Sequence, residues 1–410
     1  MREMKDSGIE WIGEVPAEWN LVQTKRFFSN TKRIVGTEID KYDRLALTLN
    51  GVIKRSKDDS EGLQPEKFEG YQILRKNELV FKLIDLENVK TSRVGLSPYT
   101  GLVSPAYIVL TNDFEDNRFF YYWFMFMYYN EVFNHLGGEG VRSALNAKDV
   151  LSLPVPDVRF DEQRRIADYL DRKCSQIDAI IARQQEVIEK LKAYKLSKIN
   201  EIVVEVEGIT AHLGYVANMK NGLNFNVVPD GKTLKFLGVG DFKDHYVLDS
   251  EEMFSDILVN DEITSEYMLQ SGDIIFVRSN GSRELVGRAV MVENVTFPLS
   301  YSGFCIRFRN LRTDILNSKY LLYFFRSPYF RKQLEKYSQG SNITNINQVL
   351  LSQISIIIPP FEVQLEAIRK VEKLLAAIDK LITGKQEIVS ALERYKKSLI
   401  YEVVTGKKEV

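Results

Sequence analysis

Three histidines and two cysteines in 410 residues leave little from which to build a metal or thiol centre. His135, His212 and His245 share no ligand spacing, and neither C-x-x-C nor H-E-x-x-H occurs. Cys174 and Cys305 lie too far apart to suggest a disulfide framework, so a reducing, cytoplasmic setting is the expectation. A G-x-x-x-x-G-K-[ST] loop is missing, which excludes a P-loop ATPase; Gly137-Gly-Glu-Gly140 and Gly238-Val-Gly240 fall short of a dinucleotide fingerprint. No run of about 18 apolar residues occurs, so no membrane-spanning helix is expected. The start, Met1-Arg-Glu-Met-Lys-Asp6, has no apolar stretch of the signal-peptide kind. Charge of one sign is missing too: 55 Lys and Arg stand against 56 Asp and Glu. That argues against coating nucleic acid by bulk charge and leaves local basic patches as the route to a specific reader. Carboxylates are plentiful, but no pair stands out for acid–base work. Nothing in the chain calls for chemistry of its own.

What is present is a repeat. Residues 161–207 contain no proline or glycine, and Ile166, Leu170, Ile177, Ile181, Ile188, Leu191 and Ile199 trace one apolar stripe at helical spacing. Such a helix is roughly 65 Å long and needs a partner along its stripe. The partner lies 201 positions on: Gln163 matches Gln364, Ile177 matches Ile378, Asp178 matches Asp379, Leu191 matches Leu392, Tyr194-Lys195 matches Tyr395-Lys396 and Ile199 matches Ile400. With Ile382 and Val389, these predict a second stripe over 362–410, packed antiparallel on the first as a spacer. Gly384 is expected to bend or weaken the second helix. The charged residues that match, Lys195 with Lys396 and Glu186 with Glu387, lie outside the stripe; solvated faces need not match, so they suggest a repeated dock for two identical partners.

The segments before each helix repeat more loosely. The expected organisation is a first half over 1–160, a spacer helix over 161–207, a second half over 208–361 and a C-terminal spacer helix over 362–410. Residues 42–110 look β-rich, with strands at Leu45–Leu49, Glu78–Leu83 and Leu102–Leu110. Gly272-Asp-Ile-Ile-Phe-Val277 corresponds to Asn77-Glu-Leu-Val-Phe81, and Lys319–Phe325 to the aromatic run Arg118–Tyr129. That run could stack bases, but it lacks interleaved basic residues and reads as a buried helix. Ile358-Pro-Pro-Phe361 resembles an amino-methyltransferase motif superficially. Ile358 has no polar side chain to hold a target amino group, so this is a strand end before a helix. The fold class is α+β: two pseudo-repeated α/β halves joined by two long helices that form an antiparallel coiled coil.

Candidate nucleic-acid contacts cluster in the second half. Phe276–Arg288 reads as a strand, a turn and a return strand. Arg278, Ser279, Asn280, Ser282, Arg283 and Arg288 suit base edges and phosphates, since Arg fits guanine bidentately and Asn fits adenine. Lys220 and Asn221 join them. The first-half counterparts are Lys54, Arg55, Lys57, Lys82, Lys90, Arg93 and Arg142. The bland reading of each is a solvated surface charge.

The alternation of variable half and helix, the opening Ser7-Gly-Ile-Glu-Trp-Ile-Gly-Glu-Val-Pro-Ala-Glu-Trp19, the Pro-to-Gln lead into each helix and the stretch Arg278–Arg288 resemble the specificity subunit of type I restriction-modification systems. The resemblance covers essentially the whole chain. It implies a subunit that is not itself an enzyme and holds no cofactor. It implies two target recognition domains that read the halves of a bipartite, asymmetric double-stranded DNA site. It implies helices that set the spacer and dock two modification subunits for adenine methylation, and restriction and motor subunits as further partners in phage defence. S-adenosylmethionine, ATP and Mg are then expected in the partner subunits. The competing reading is a helical assembly or regulatory protein without sequence-specific DNA binding.

Overall fold

The computed structural model describes residues 2–49, 51–57, 68–84, 93–114, 116–136, 144–225, 231–260, 263–282, 284–337 and 344–410. The chain is α+β and divides into two compact units, Met1–Gln184 with Glu387–Val410, and Gln185–Gln386. Two unbroken helices, Phe160–Val204 and Phe361–Val404, begin 201 positions apart. Each unit therefore combines one sheet-bearing half with the first part of one long helix and the last part of the other. Gly384 neither breaks nor ends its helix; a Cβ there would meet nothing within 4 Å, so only its intrinsic cost of about 1 kcal/mol remains.

The matched glutamines explain how each long helix starts. Gln163 Nε2 donates to the Val158 carbonyl at 2.7 Å, and Gln364 Nε2 donates to the Pro359 carbonyl at 2.8 Å, five residues back in both. Gln364 also donates to Ile315 and accepts from the Asn317 N–H, so it ties three segments together. Both side chains are buried, and bonding is what makes that burial tolerable. Ahead of each helix lies a short strand, Pro154–Asp157 or Ser355–Ile358, paired antiparallel with Asn20–Gln23 or Ile209–His212.

In the first unit, Ile166, Leu170 and Ile177 of the first long helix share one core with Leu399, Ile400, Val403 and Val404 of the second; Ile181 and Leu392 pack at its edge. In the second unit, Ile199 and Val203 share a core with Ala367, Ile368 and Val371. The helices run antiparallel in each. Ile188 and Ile378 are buried, and Leu191, Ile382 and Val389 are half-buried. The matched charges do different work from that expected. Lys396 bonds both oxygens of Asp178 at 2.7 Å in the first unit, and Lys195 bonds Asp379 at 2.7 Å in the second. These are the same pair displaced by 201 positions. Lys195 and Lys396 each close an ion pair across the helices, which accounts for their match without a docking partner. Glu186 pairs with Lys190 along its own helix.

Each half carries a sheet built on one buried strand. In the first unit Leu79–Lys82 lies between Ile108–Leu110 and Arg93–Leu96. In the second, Ile274–Val277 lies between Cys305–Asn310 and Ala289–Val292, with Ala217–Asn221 and Val247–Leu248 outside them. A second sheet accompanies each: Gly51–Arg55, Arg44–Thr48, Gly101–Val103 and Gln72–Leu74 in the first unit, Ser255–Val259, Lys232–Leu237 and Leu299–Tyr301 in the second. The expected single strand Leu102–Leu110 is two. Ser104-Pro105 interrupts it, and the two pieces belong to different sheets. The aromatic helices are core: Phe119, Phe120, Trp123 and Phe124 are buried in one, Tyr320, Leu321, Phe324 and Phe325 in the other. Phe81 meets Phe124 edge-on at 5.0 Å, and Phe276 meets Phe325 at 4.8 Å.

Candidate nucleic-acid interface

The buried strand of each half begins and ends in the same way. It begins on a left-handed residue, Asn77 (φ 68°) or Gly272 (φ 89°), followed by a buried acid. Glu78 accepts from the Arg75 N–H and from Arg33; Asp273 accepts from the Gln270 N–H and from both Nε and Nη2 of Arg309 at 2.7 and 2.6 Å. The strand ends where a second loop is pinned beside it. The Leu145 N–H donates to Leu83 and the Ile346 N–H to Arg278, each at 2.9 Å, next to the bridges Ile84 to Ala144 and Ser279 to Asn345. Two loops thus leave the same sheet end in each unit. One follows the buried strand; the other precedes a short helix capped by Asn146 or Asn347.

In the second unit the first of these loops is Arg278–Arg288, longer than the hairpin turn expected, since the return strand starts only at Ala289. Its far side is a fixed foot. Val286 is fully buried, and Arg331 Nη1 donates to the Val286 carbonyl at 2.6 Å. Gly287 has φ +84°, and a Cβ there would lie 2.6 Å from Leu334 Cδ1. Arg288 belongs to this foot: Nη2 donates to Asp244 Oδ1 at 2.9 Å, and that bond holds the Asp244 carboxyl below its ordinary range against partial desolvation. The tip carries Asn280, whose Oδ1 accepts from the Ser282 N–H at 2.8 Å in a tight local turn. Arg278 and Ser279 stand at the near side, with Ser279 Oγ donating to the Thr344 carbonyl at 3.4 Å. Arg283 lies outside the described residues.

Asn221 ends the edge strand at the same sheet end, but its Oδ1 is buried without a hydrogen-bond partner, so this atom faces the protein. Lys220 pairs with Glu266 at 2.5 Å and sits 4.1 Å over the Tyr267 ring. Its charge is engaged along the sheet.

In the first unit Lys82 and Arg93 are paired positions on neighbouring strands at the equivalent sheet end. Lys90 and Arg142 lie outside the described residues. Lys54, Arg55 and Lys57 are elsewhere. Lys54 pairs with Asp43 at 2.6 Å and stacks over Tyr99, past the far end of the strand that Arg93 begins. Lys57 donates to the Ile39 carbonyl at 2.8 Å. The structure therefore brings Arg278, Ser279, Asn280 and Ser282 together, sets Lys82 and Arg93 at the equivalent sheet end of the first unit, and leaves the 54–57 group apart.

Sequence reasoning passed over Arg331, Asp244 and Phe304. Arg331 and Asp244 hold the loop foot from segments remote in sequence, and no local pattern marks them. Phe304, 58% exposed, stands beside Arg278, whose N–H donates to its carbonyl at 2.7 Å. Its place after Ser302-Gly303, at the head of the strand Cys305–Asn310, was the available signal. Among the described residues no cluster of His, Cys, Asp and Glu could hold a metal ion, and no helix is long and apolar enough to cross a membrane. Burial pushes the Cys174 thiol up to about 11 and the Cys305 thiol up to about 12.

The family model for the type I restriction modification DNA specificity domain matches residues 230–394. The StySPI specificity subunit of Salmonella potsdam is 26% identical over 287 residues, covering 65% of this chain and 59% of the relative. The EcoKI specificity subunit of Escherichia coli K12 is 26% identical over 287 residues, covering 65% of this chain and 60% of the relative. The matched region thus spans about three fifths of the length of these relatives. A chain from a solved structure, described as showing complex assembly and conformational transition of the type I R-M system, superposes with a TM-score of 0.69 at 16% identity, over 95% of this chain and 98% of that one. That likeness establishes the fold. The family match and the two relatives make this chain similar in sequence to the specificity subunits of type I restriction-modification systems.

Proposed function

We propose that this chain is the non-catalytic DNA-recognition subunit of a cytoplasmic type I restriction-modification complex. Each half reads one part of a bipartite, asymmetric site in double-stranded DNA. The long helices hold the halves at a set separation and dock two modification subunits. Those partners carry S-adenosylmethionine and methylate adenine, which requires a flipped base; restriction and motor subunits add ATP- and Mg-dependent translocation and cleavage. The observation that carries this reading is the contrast between frame and loop. The strut helices and their ties repeat at an interval of 201, while the loops that leave each sheet end share a frame and differ in sequence. A repeated frame with unlike loops suits two unlike half-sites, because phosphate contacts position a reader and base-edge contacts specify its target.

Methylation mapping in a host that carries the assembled complex tests this. The expected result is one asymmetric motif in two parts with a spacer of constant length. A contiguous motif would overturn the two-reader assignment, a spacer of variable length would overturn the role of the helices, and no motif at all would favour an assembly protein.

A further inference from the structure

We propose that Phe304 is a specificity-determining contact of the second half, its ring packing against the 5-methyl group of a thymine in the major groove. This rests on the reading of that half as a DNA reader. Phe304 is a large apolar side chain left 58% exposed where no looseness of the backbone explains it. Its N–H donates to Ser302 Oγ at 3.2 Å, and its carbonyl accepts from the Arg278 N–H at 2.7 Å. The Gly303 N–H donates to Leu223 at 2.8 Å, and a Cβ on Gly303 would lie 2.3 Å from Asn224 Oδ1. The ring is thus held out on a fixed backbone.

Its surroundings fix the chemistry. Val277 and Cys305 are the last paired residues of two buried strands, and the next step sets Arg278 opposite Phe304. Arg278, opposite Phe304, and Asn280, two residues on in the same loop, suit the major-groove edges of guanine and adenine. In that groove the apolar feature on offer is the thymine methyl, which a phenylalanine ring contacts well. The first unit lacks this element. Ile306 lies opposite Phe276 as Ile108 lies opposite Phe81, so the residue matching Phe304 is Ala106.

The test uses the complex assembled with its modification subunits and duplexes of the mapped site in which each thymine is replaced in turn by deoxyuridine. At one thymine of the second half-site the wild-type complex should lose about four-fold in affinity, the factor carried by burying one methyl group. Phe304→Ala should no longer distinguish thymine from deoxyuridine there, while Phe304→Leu should keep part of the discrimination. Replacements in the first half-site should respond alike in all three proteins. The proposal is overturned if the wild type is indifferent to every second-half replacement, if that half-site holds no thymine, if Phe304→Ala keeps the full penalty, or if it alters the first half-site. A complex with no sequence preference overturns the DNA-reader assignment itself, and this proposal with it.

Discussion

In the first unit Arg118 ties the aromatic helix to Asp171 of the first long helix at 2.7 Å; in the second, Lys319 reaches Glu372 of the other long helix at 3.1 Å. Both partners have moved by 201 positions, and both have changed identity while keeping their charge. The first tie is the denser. Arg118 also bonds Asp116 and Asp168, and Tyr122 donates to Asp171 at 2.7 Å. The buried acids behave alike: Glu78 draws its arginine from residue 33, before the strand, and Asp273 draws its own from residue 309, after it. The comparison separates two kinds of position. Where a half meets the long helices, spacing and charge sign are held. Within the sheets only the need for a buried, neutralised acid is held, and its partner is free to come from elsewhere.

The deepest test of this equivalence is in the cores. Phe81→Ala and Phe276→Ala, both at fully buried rings, should each cost about 3–5 kcal/mol and lower hydrogen-exchange protection in their own unit. Protection lost equally in both units would break the division. Arg118→Ala should cost about 1–3 kcal/mol against under about 1 kcal/mol for Lys319→Ala, read by denaturant unfolding; equal losses would remove the contrast between the dense tie and the sparse one. Arg278→Ala should weaken DNA binding by about 1–3 kcal/mol and relax specificity in the second half-site alone. An equal loss on nonspecific DNA would make it a phosphate contact. The smallest effect is the most symmetrical. Double-mutant cycles on Asp178 with Lys396 and on Lys195 with Asp379 should each give about 0.2–1 kcal/mol, falling with added salt. Zero coupling in both, with weaker binding of the modification subunits, would restore the docking role for these lysines.

The sequence revealed the long helices because a 3.6-residue stripe without proline is a strong local signal, and the repeat doubled it. It revealed the buried character of the aromatic runs because no basic residues interrupt them. Where it misled, the cause lay in contacts distant along the chain. Lys195 and Lys396 look solvated from their own helix, and only the opposed helix shows what they meet. Arg288 looks like part of a basic loop until Asp244 is seen beside it. Lys54 and Arg55 look like a loop near DNA, yet pairing places them on another sheet from Lys82 and Arg93, with Lys57 just beyond. Pro105 was readable as a strand breaker, but not the change of sheet it marks. Of the site itself, loop Arg278–Arg288 was legible from its composition, whereas its foot, built by Val286, Gly287 and Arg331, was not.

The division of the chain carries a consequence for its synthesis. The second unit, Gln185–Gln386, is one continuous segment, whereas the first is assembled from residues 1–184 and 387–410. On the ribosome the second unit has all its parts once Gln386 has emerged. The first, although made earlier, stays without Leu399, Ile400, Val403 and Val404 of its core until the last turns of the second long helix arrive. Phe126, whose ring meets Tyr401 at 5.2 Å, must wait for that partner through the synthesis of some 200 further residues, a stage at which exposed apolar surface invites aggregation.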